Sequence, residues 1–209
     1  MRRALLLCGG LGLSACAHPV VEPVVPAEAP PAGVVVRARD ETYRVSGDDR
    51  QALTTSVQAG GVVQGQRRYF GFHRWTITWS LQLAERDGQC AVTDATVFVD
   101  SRMTLPEWSM PPGAEPSLRE QWTEFLAALR EHELGHRRII VLGAARVRET
   151  LLAVHAPSCD GMTDAATFAA GEVLTLLRVA DAGYDEETRH GITQGAAWPP
   201  YTGTVEVSF

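Results

Sequence analysis

The chain has 209 residues, a formal net charge of −6 and 45% hydrophobic residues, and it carries no block of basic residues. That balance excludes a dedicated nucleic-acid binder, whose electrostatic footprint needs clustered cations. It leaves enough apolar chain for one domain with a proper core.

Met1-Arg2-Arg3 followed by an apolar run over residues 4–13 reads as an export signal, too short to span a bilayer. The residues around Arg2-Arg3 do not otherwise support a twin-arginine signal. Leu13-Ser14-Ala15-Cys16 closes the run and resembles the lipobox of bacterial lipoproteins. The resemblance implies a signal peptide over residues 1–16, with lipid on Cys16 after cleavage. The expectation is an exported protein, lipid-anchored in the cell envelope, facing the periplasm or exterior. It would touch the membrane through that anchor only. An ordinary secretory signal with an incidental cysteine is the alternative. Residues 17–38 form a Pro-rich tether, because Pro19, Pro23, Pro26, Pro30 and Pro31 favour extended polyproline II over helix or central strand.

Residues 39–209 then make the domain. A short strand is expected at residues 42–46. Asp48 or Asp49 caps a brief helix to about Gln58, ended by Gly60-Gly61. Trp75, Ile77, Trp79, Leu81 and Leu83 alternate with polar residues, so residues 75–83 are a strand with one buried face. Asp87-Gly88 supplies a turn, and residues 91–103 return as a second strand. Pro106, Pro111, Pro112 and Pro116 make a stiff loop. Ser117-Leu118-Arg119-Glu120 has the form of a capping box for a long helix reaching about Val154. Periodicity leaves open a break near Gly143. A second helix is expected over residues 164–182, with Gly183 placed to end it.

Cys8 leaves with the signal and Cys16 with the lipid, so Cys90 and Cys159 remain. An even pair in an oxidising compartment points to one disulfide.

The long helix carries His132-Glu133-Leu134-Gly135-His136. Four residues of α-helix turn through about 400°, so both imidazoles share one face about 6 Å apart along the axis. One zinc ion can bind both, and Glu133 then stands beside it as a base for a zinc-activated water. The bland alternative is two half-buried, hydrogen-bonded histidines. Against it, the stripe Trp122, Phe125, Leu129, His132, His136, Ile140, Gly143, Val147 is apolar and core-facing, where paired imidazoles need polar partners.

A catalytic zinc takes three protein ligands and keeps one position open. The metzincin extension is absent, since Ile139 and Leu142 stand where its glycine and third histidine would be. Glu149 lies about 20 Å along the helix and cannot reach. The candidates are Glu172, Asp185 and His190. His190 is favoured as a neutral imidazole in a post-helix loop beside Gly191. Asp185 could instead orient a histidine, and Tyr184 could donate to a developing oxyanion. His73, beside Arg74, reads as solvent-facing. His155 sits near the carbonyl end of the long helix, where a cation needs no special role.

The order of elements resembles the zincin metallopeptidases: α+β, a small antiparallel sheet packed on a long HExxH helix, then a second C-terminal helix. Glu172 would correspond to the third-ligand glutamate of gluzincins. The same resemblance implies that a sheet edge beside the helix pairs with the substrate backbone. More specifically, the chain resembles the bacterial family catalogued as domain of unknown function 922, described as predicted secreted zinc-dependent proteases. That match rests on His132, Glu133 and His136, the cysteine pair, Tyr43-Arg44-Val45-Ser46-Gly47, and Tyr184-Asp185 running through Thr188 to His190-Gly191. What it implies is a Zn2+-dependent peptidase acting on a peptide or protein substrate at the envelope. A non-catalytic lipoprotein with a structural metal and a partner-binding sheet edge is one alternative, and a zinc amidase acting on peptidoglycan peptides is another.

Overall fold

The computed structural model describes residues 29–200. The signal peptide, Cys16 and most of the tether therefore lie outside the described residues. The fold is α+β, with a mixed sheet and three α-helices.

Strand β1 (Val34–Val45) begins inside the stretch read as tether. The prolines stop at Pro31, and Val34, Val35 and Val36 pair with Val97, Phe98 and Val99. Helix α1 (Arg50–Ala59) is capped as its sequence suggests, with the Asp49 carboxylate accepting the Ala52 N–H at 2.9 Å and Gly60 at its end. A small hairpin, β2 (Val62–Gln64) and β3 (Arg67–Tyr69), follows.

Strands β4 (Phe72–Arg86) and β5 (Gln89–Trp108) form the main antiparallel pair, turning at Asp87 and Gly88, both with positive φ. β5 is central, with β4 on one side and β1 parallel on the other. The sheet is thus mixed, where a purely antiparallel one was expected. The chain between β1 and β5 holds α1, the hairpin and β4, ample length for the crossover that a parallel pair needs. β5 also runs through Pro106. Its pairing with β4 stops at Thr104, and beyond that point only β1 flanks the strand, so alternate N–H groups serve no ladder. Along β4, Thr76, Thr78, Ser80 and Gln82 are exposed while Trp75, Ile77, Trp79 and Leu81 pack toward the helices; past a register shift at Gln82/Leu83, Leu83 is exposed.

Helix α2 (Pro116–Leu152) is unbroken over 37 residues. It does not use the Ser117–Glu120 capping box. Pro116 takes the first helical position, with Glu115 as cap and no side-chain capping bond. Its ring presets the helical φ. Arg119 instead donates to the carbonyls of Pro111, Pro112 and Ala114. Gly143 leaves the helix intact and admits Leu177, since a Cβ there would lie 2.4 Å from Leu177 Cδ1.

After the short β6 (His155–Ala156), which pairs with Cys90 and Ala91 of β5, and a 3-10 turn (Cys159–Gly161), helix α3 (Met162–Thr188) packs on α2. His155 lies exposed on β6. The Cys90–Cys159 disulfide forms, tying β5 to the start of α3 across a sequence separation of 69. On the chain-entropy model it stabilises the fold by about 4 kcal/mol. α3 does not stop at Gly183. It ends where Arg189, His190 and Gly191 take left-handed conformations in succession. Packing overrides the roughly 1 kcal/mol propensity cost of one glycine. The consequence is local but decisive: Tyr184 and Asp185 are helical residues.

The core has two parts. One joins β4 and β5 to the C-terminal half of α2 and to α3, around Val97, Ile140, Val147, Leu151 and Ala166. The other joins α1, the end of β5 and the start of α2, around the rings of Trp108, Trp122, Phe125 and Trp198. None of the helices among the described residues is long and apolar enough to cross a membrane.

Candidate functional site

The two core clusters leave a polar seam between them on the α2–α3 contact. His132, Glu133 and His136 are all buried on α2, each under 7% exposed. Across from them, Asp181 and Asp185 stand one turn apart on α3, the same spacing as the two histidines. Two helices thus present i,i+4 pairs to each other.

The nitrogens sort themselves by their partners. His136 Nδ1 meets Asp181 Oδ1 at 2.7 Å, and His132 Nδ1 meets Gln194 Oε1 at 3.0 Å. With each Nδ1–H donated to a fixed acceptor, the two Nε2 atoms are the ones left to take a proton or a metal ion. Both Nε2 atoms lie 3.2 Å from one oxygen, Asp185 Oδ1. His132, His136 and Asp185 offer ligand atoms within 4.8 Å of one another. Two imidazoles and a carboxylate are a donor set suited to zinc, and the outer acceptors on both Nδ1 atoms fix the tautomers such a site needs.

Electrostatics point the same way. Burial opposes a charge on His136, yet its bonds to Asp181 and Asp185 outweigh that and raise it to about 9. Burial likewise opposes ionisation of Asp185, but His132 and His136 hold its carboxyl well below the usual range. The pocket therefore favours a positive charge between the carboxylates. Glu133 makes no such pair; burial lifts it to about 7 against the pull of both histidines.

Several close approaches protect this arrangement. A Cβ on Gly135 would lie 2.1 Å from the Tyr184 hydroxyl, so the glycine of HELGH makes room for the tyrosine. The Tyr184 ring stacks on His132 with centroids 5.1 Å apart. Its hydroxyl accepts from Gln194 Nε2 at 3.0 Å. Tyr184 is not among the cleft-lining residues, and its hydroxyl also donates to Gln194 Oε1 at 3.4 Å. A Cβ on Gly71 would fall 2.4 Å from Glu133 Oε1.

Of the third-ligand candidates, the fold gathers Asp185. His190 Nδ1 lies 3.1 Å from the same Asp185 oxygen, with a side chain 44% exposed. It sits at the rim, outside the three-residue group. Glu172 is thirteen residues before Asp185 on α3, about 20 Å along the axis, and takes no part. His73 is not solvent-facing. It stacks on His136 with rings 10° from parallel, its Nε2 meets Ser101 Oγ at 2.8 Å, and burial and the nearby His136 lower it to about 4. Asp181 was missed by sequence reasoning. Its spacing from Asp185 was available, but only a helix continuing past Gly183 gives that spacing meaning.

The group lies in a cleft of about 970 Å³. One wall is β4 from Phe72 to Ile77, and α3 lies opposite with Arg178, Asp181 and Ala182. In the order β1-β5-β4, the outer edge of β4 pairs with no other strand among the described residues. The cleft thus joins two buried imidazoles, the half-buried Asp185 carboxylate, the buried Glu133 and an open strand edge.

No curated protein and no solved structure matches the chain. A family model described as "Bacterial protein of unknown function (DUF922)" matches residues 40–191, and the chain belongs to that family.

Proposed function

We propose that the protein is a zinc-dependent peptidase of zincin type, with His132, His136 and Asp185 as ligands and Glu133 as general base. The observation that carries this reading is the convergence of both Nε2 atoms on Asp185 Oδ1 while both Nδ1 atoms are held by acceptors. A zinc ion bound there supplies a Lewis acid that acidifies water and polarises a carbonyl. Glu133, lifted to about 7 by burial, is poised to accept a proton from the attacking water and return it to the leaving amine. Asp181 and Gln194 hold the imidazoles in register. The β4 edge offers backbone groups to an extended peptide, which favours a peptide substrate over a compact one.

The rival is a structural metal in a non-catalytic lipoprotein. A structural zinc is closed by four protein ligands, whereas three gather here beside an open cleft. Peptides of peptidoglycan stay within the proposed substrate range, and the lipid anchor at Cys16 would confine the enzyme to the envelope.

The test is hydrolysis by zinc-loaded wild type and Glu133→Gln on mixed peptide substrates. Glu133→Gln should bind zinc as wild type does and lose at least about a hundredfold in rate. Equal rates in the two proteins would reject the peptidase assignment.

A further inference from the structure

The cleft's charge is at odds with the rest of the molecule. The chain carries −6 overall. Yet Arg67, Arg68, Arg74 and Arg178 all line the cleft, and the only acids in its lining are Glu133, Asp181 and Asp185, which belong to the histidine group. Arg68 is occupied, donating to the Gly60 carbonyl at 2.7 Å. Among the described residues, Arg67, Arg74 and Arg178 have no carboxylate within ion-pair distance.

Two of these arginines are held in place by aromatic rings. The Arg74 guanidinium lies over Phe72 at 5.6 Å, and that of Arg178 over Trp75 at 5.9 Å. Stacking on a ring restrains the side chain and leaves the fork of N–H donors free for a partner. Arg74 belongs to the open-edged β4. Arg178 sits on α3 less than one turn before Asp181. Arg74 alternates with His73 and Trp75 and so projects from the face of β4 away from the helices, beside the open edge, while Arg178 stands on the α3 side. An extended peptide on that edge turns alternate side chains toward each.

From this we infer that the cleft selects peptide segments bearing carboxylates beside the bond presented to His132, His136 and Asp185. The inference rests on the peptidase reading for that site and adds its substrate class. The selection is local, because the overall negative charge repels an acidic peptide at long range. Paired arginines contribute about threefold each when exposed, so the two together give roughly tenfold at low salt.

The test uses two peptides identical except that glutamates flanking the central bond are replaced by glutamines. Binding to the zinc-loaded Glu133→Gln full chain is followed by fluorescence anisotropy. The glutamate peptide should bind roughly tenfold tighter, and the ratio should shrink as salt rises. Combining Arg74→Gln and Arg178→Gln should bring the ratio close to one. Combining Arg138→Gln and Arg146→Gln removes the same two charges from exposed pairs with Glu131 and Glu149 and should preserve it. Equal affinities, no binding of either peptide, or a ratio untouched in the double variant would overturn the inference. Hydrolysis of both peptides by wild type separates the two readings. Cutting both at equal rates keeps the peptidase and rejects the selection. Selective binding with no cutting keeps the selection and rejects the peptidase.

Discussion

Helices α2 and α3 are packed in two different ways along one contact. Toward the disulfide, Ile140, Ala144, Val147 and Leu151 meet Ala166, Ala170 and Leu177, all buried and all apolar. Toward the cleft, His132 and His136 meet Asp181 and Asp185, and Tyr184 sits against Gly135. The first half gains stability from burial, about 25 cal/mol for each Å² of apolar surface removed from water. The second half places charges where burial penalises them; the histidines and aspartates offset that cost by pairing, whereas Glu133 has no such pair and is pushed toward its neutral form. Stability and the candidate chemistry are thus carried by separate segments of the same helix pair.

That division can be broken from either side. The largest effect is expected in the apolar half. Leu151→Ala deletes a fully buried side chain and should lower unfolding free energy by about 2–5 kcal/mol. Denaturant titration measures the loss, and zinc bound per folded molecule should stay unchanged. A coupled loss of metal would show that the two halves are not separable.

A smaller effect is expected in the polar half. Asp181→Asn keeps the shape but weakens the acceptor on His136 Nδ1, and should cost about 10–100-fold in zinc affinity. Competition with a chromogenic chelator reads this directly. Unchanged affinity would mean that Asp181 serves only Trp75, whose Nε1 donates to its other oxygen at 2.9 Å.

The smallest effect concerns pH. In metal-free protein, His136 is raised from 6.5 to about 9 by Asp181 and Asp185. A raised pKa stabilises the fold fully below about 6.5, and that contribution is lost as pH climbs through about 9. Metal-free protein should therefore lose stability across that window, and zinc should flatten the slope by taking the proton's place. A zinc-independent slope would sever the charge argument from the metal.

The sequence made some of this legible and hid the rest for physical reasons. The Asp49 cap, the alternation from Trp75 to Leu81 and the apolar stripe of α2 are local patterns, and all three appear in the fold. The cysteine pair was equally readable. The partner of β1 was not, because Val34–Val36 follow a proline run and pair 63 residues away. Helix α3 was cut short because Gly183 is a common stop signal and the packing that carries the helix past it is non-local. That one shortening hid Asp181, placed Asp185 in a loop and made His190 the better ligand. His73 looked solvent-facing beside Arg74, whereas the strand turns it onto His136.

The proposed metal site turns on the identity of its third ligand. X-ray absorption at the zinc edge, taken on zinc-loaded wild type, Asp185→Ala and His190→Ala, tests it most directly. Wild type should hold about one zinc per chain, bound by two imidazoles and a carboxylate. His190→Ala should give the same spectrum, and Asp185→Ala should lose the zinc. Three imidazoles in wild type, with zinc retained by Asp185→Ala and lost by His190→Ala, would contradict that ligand set.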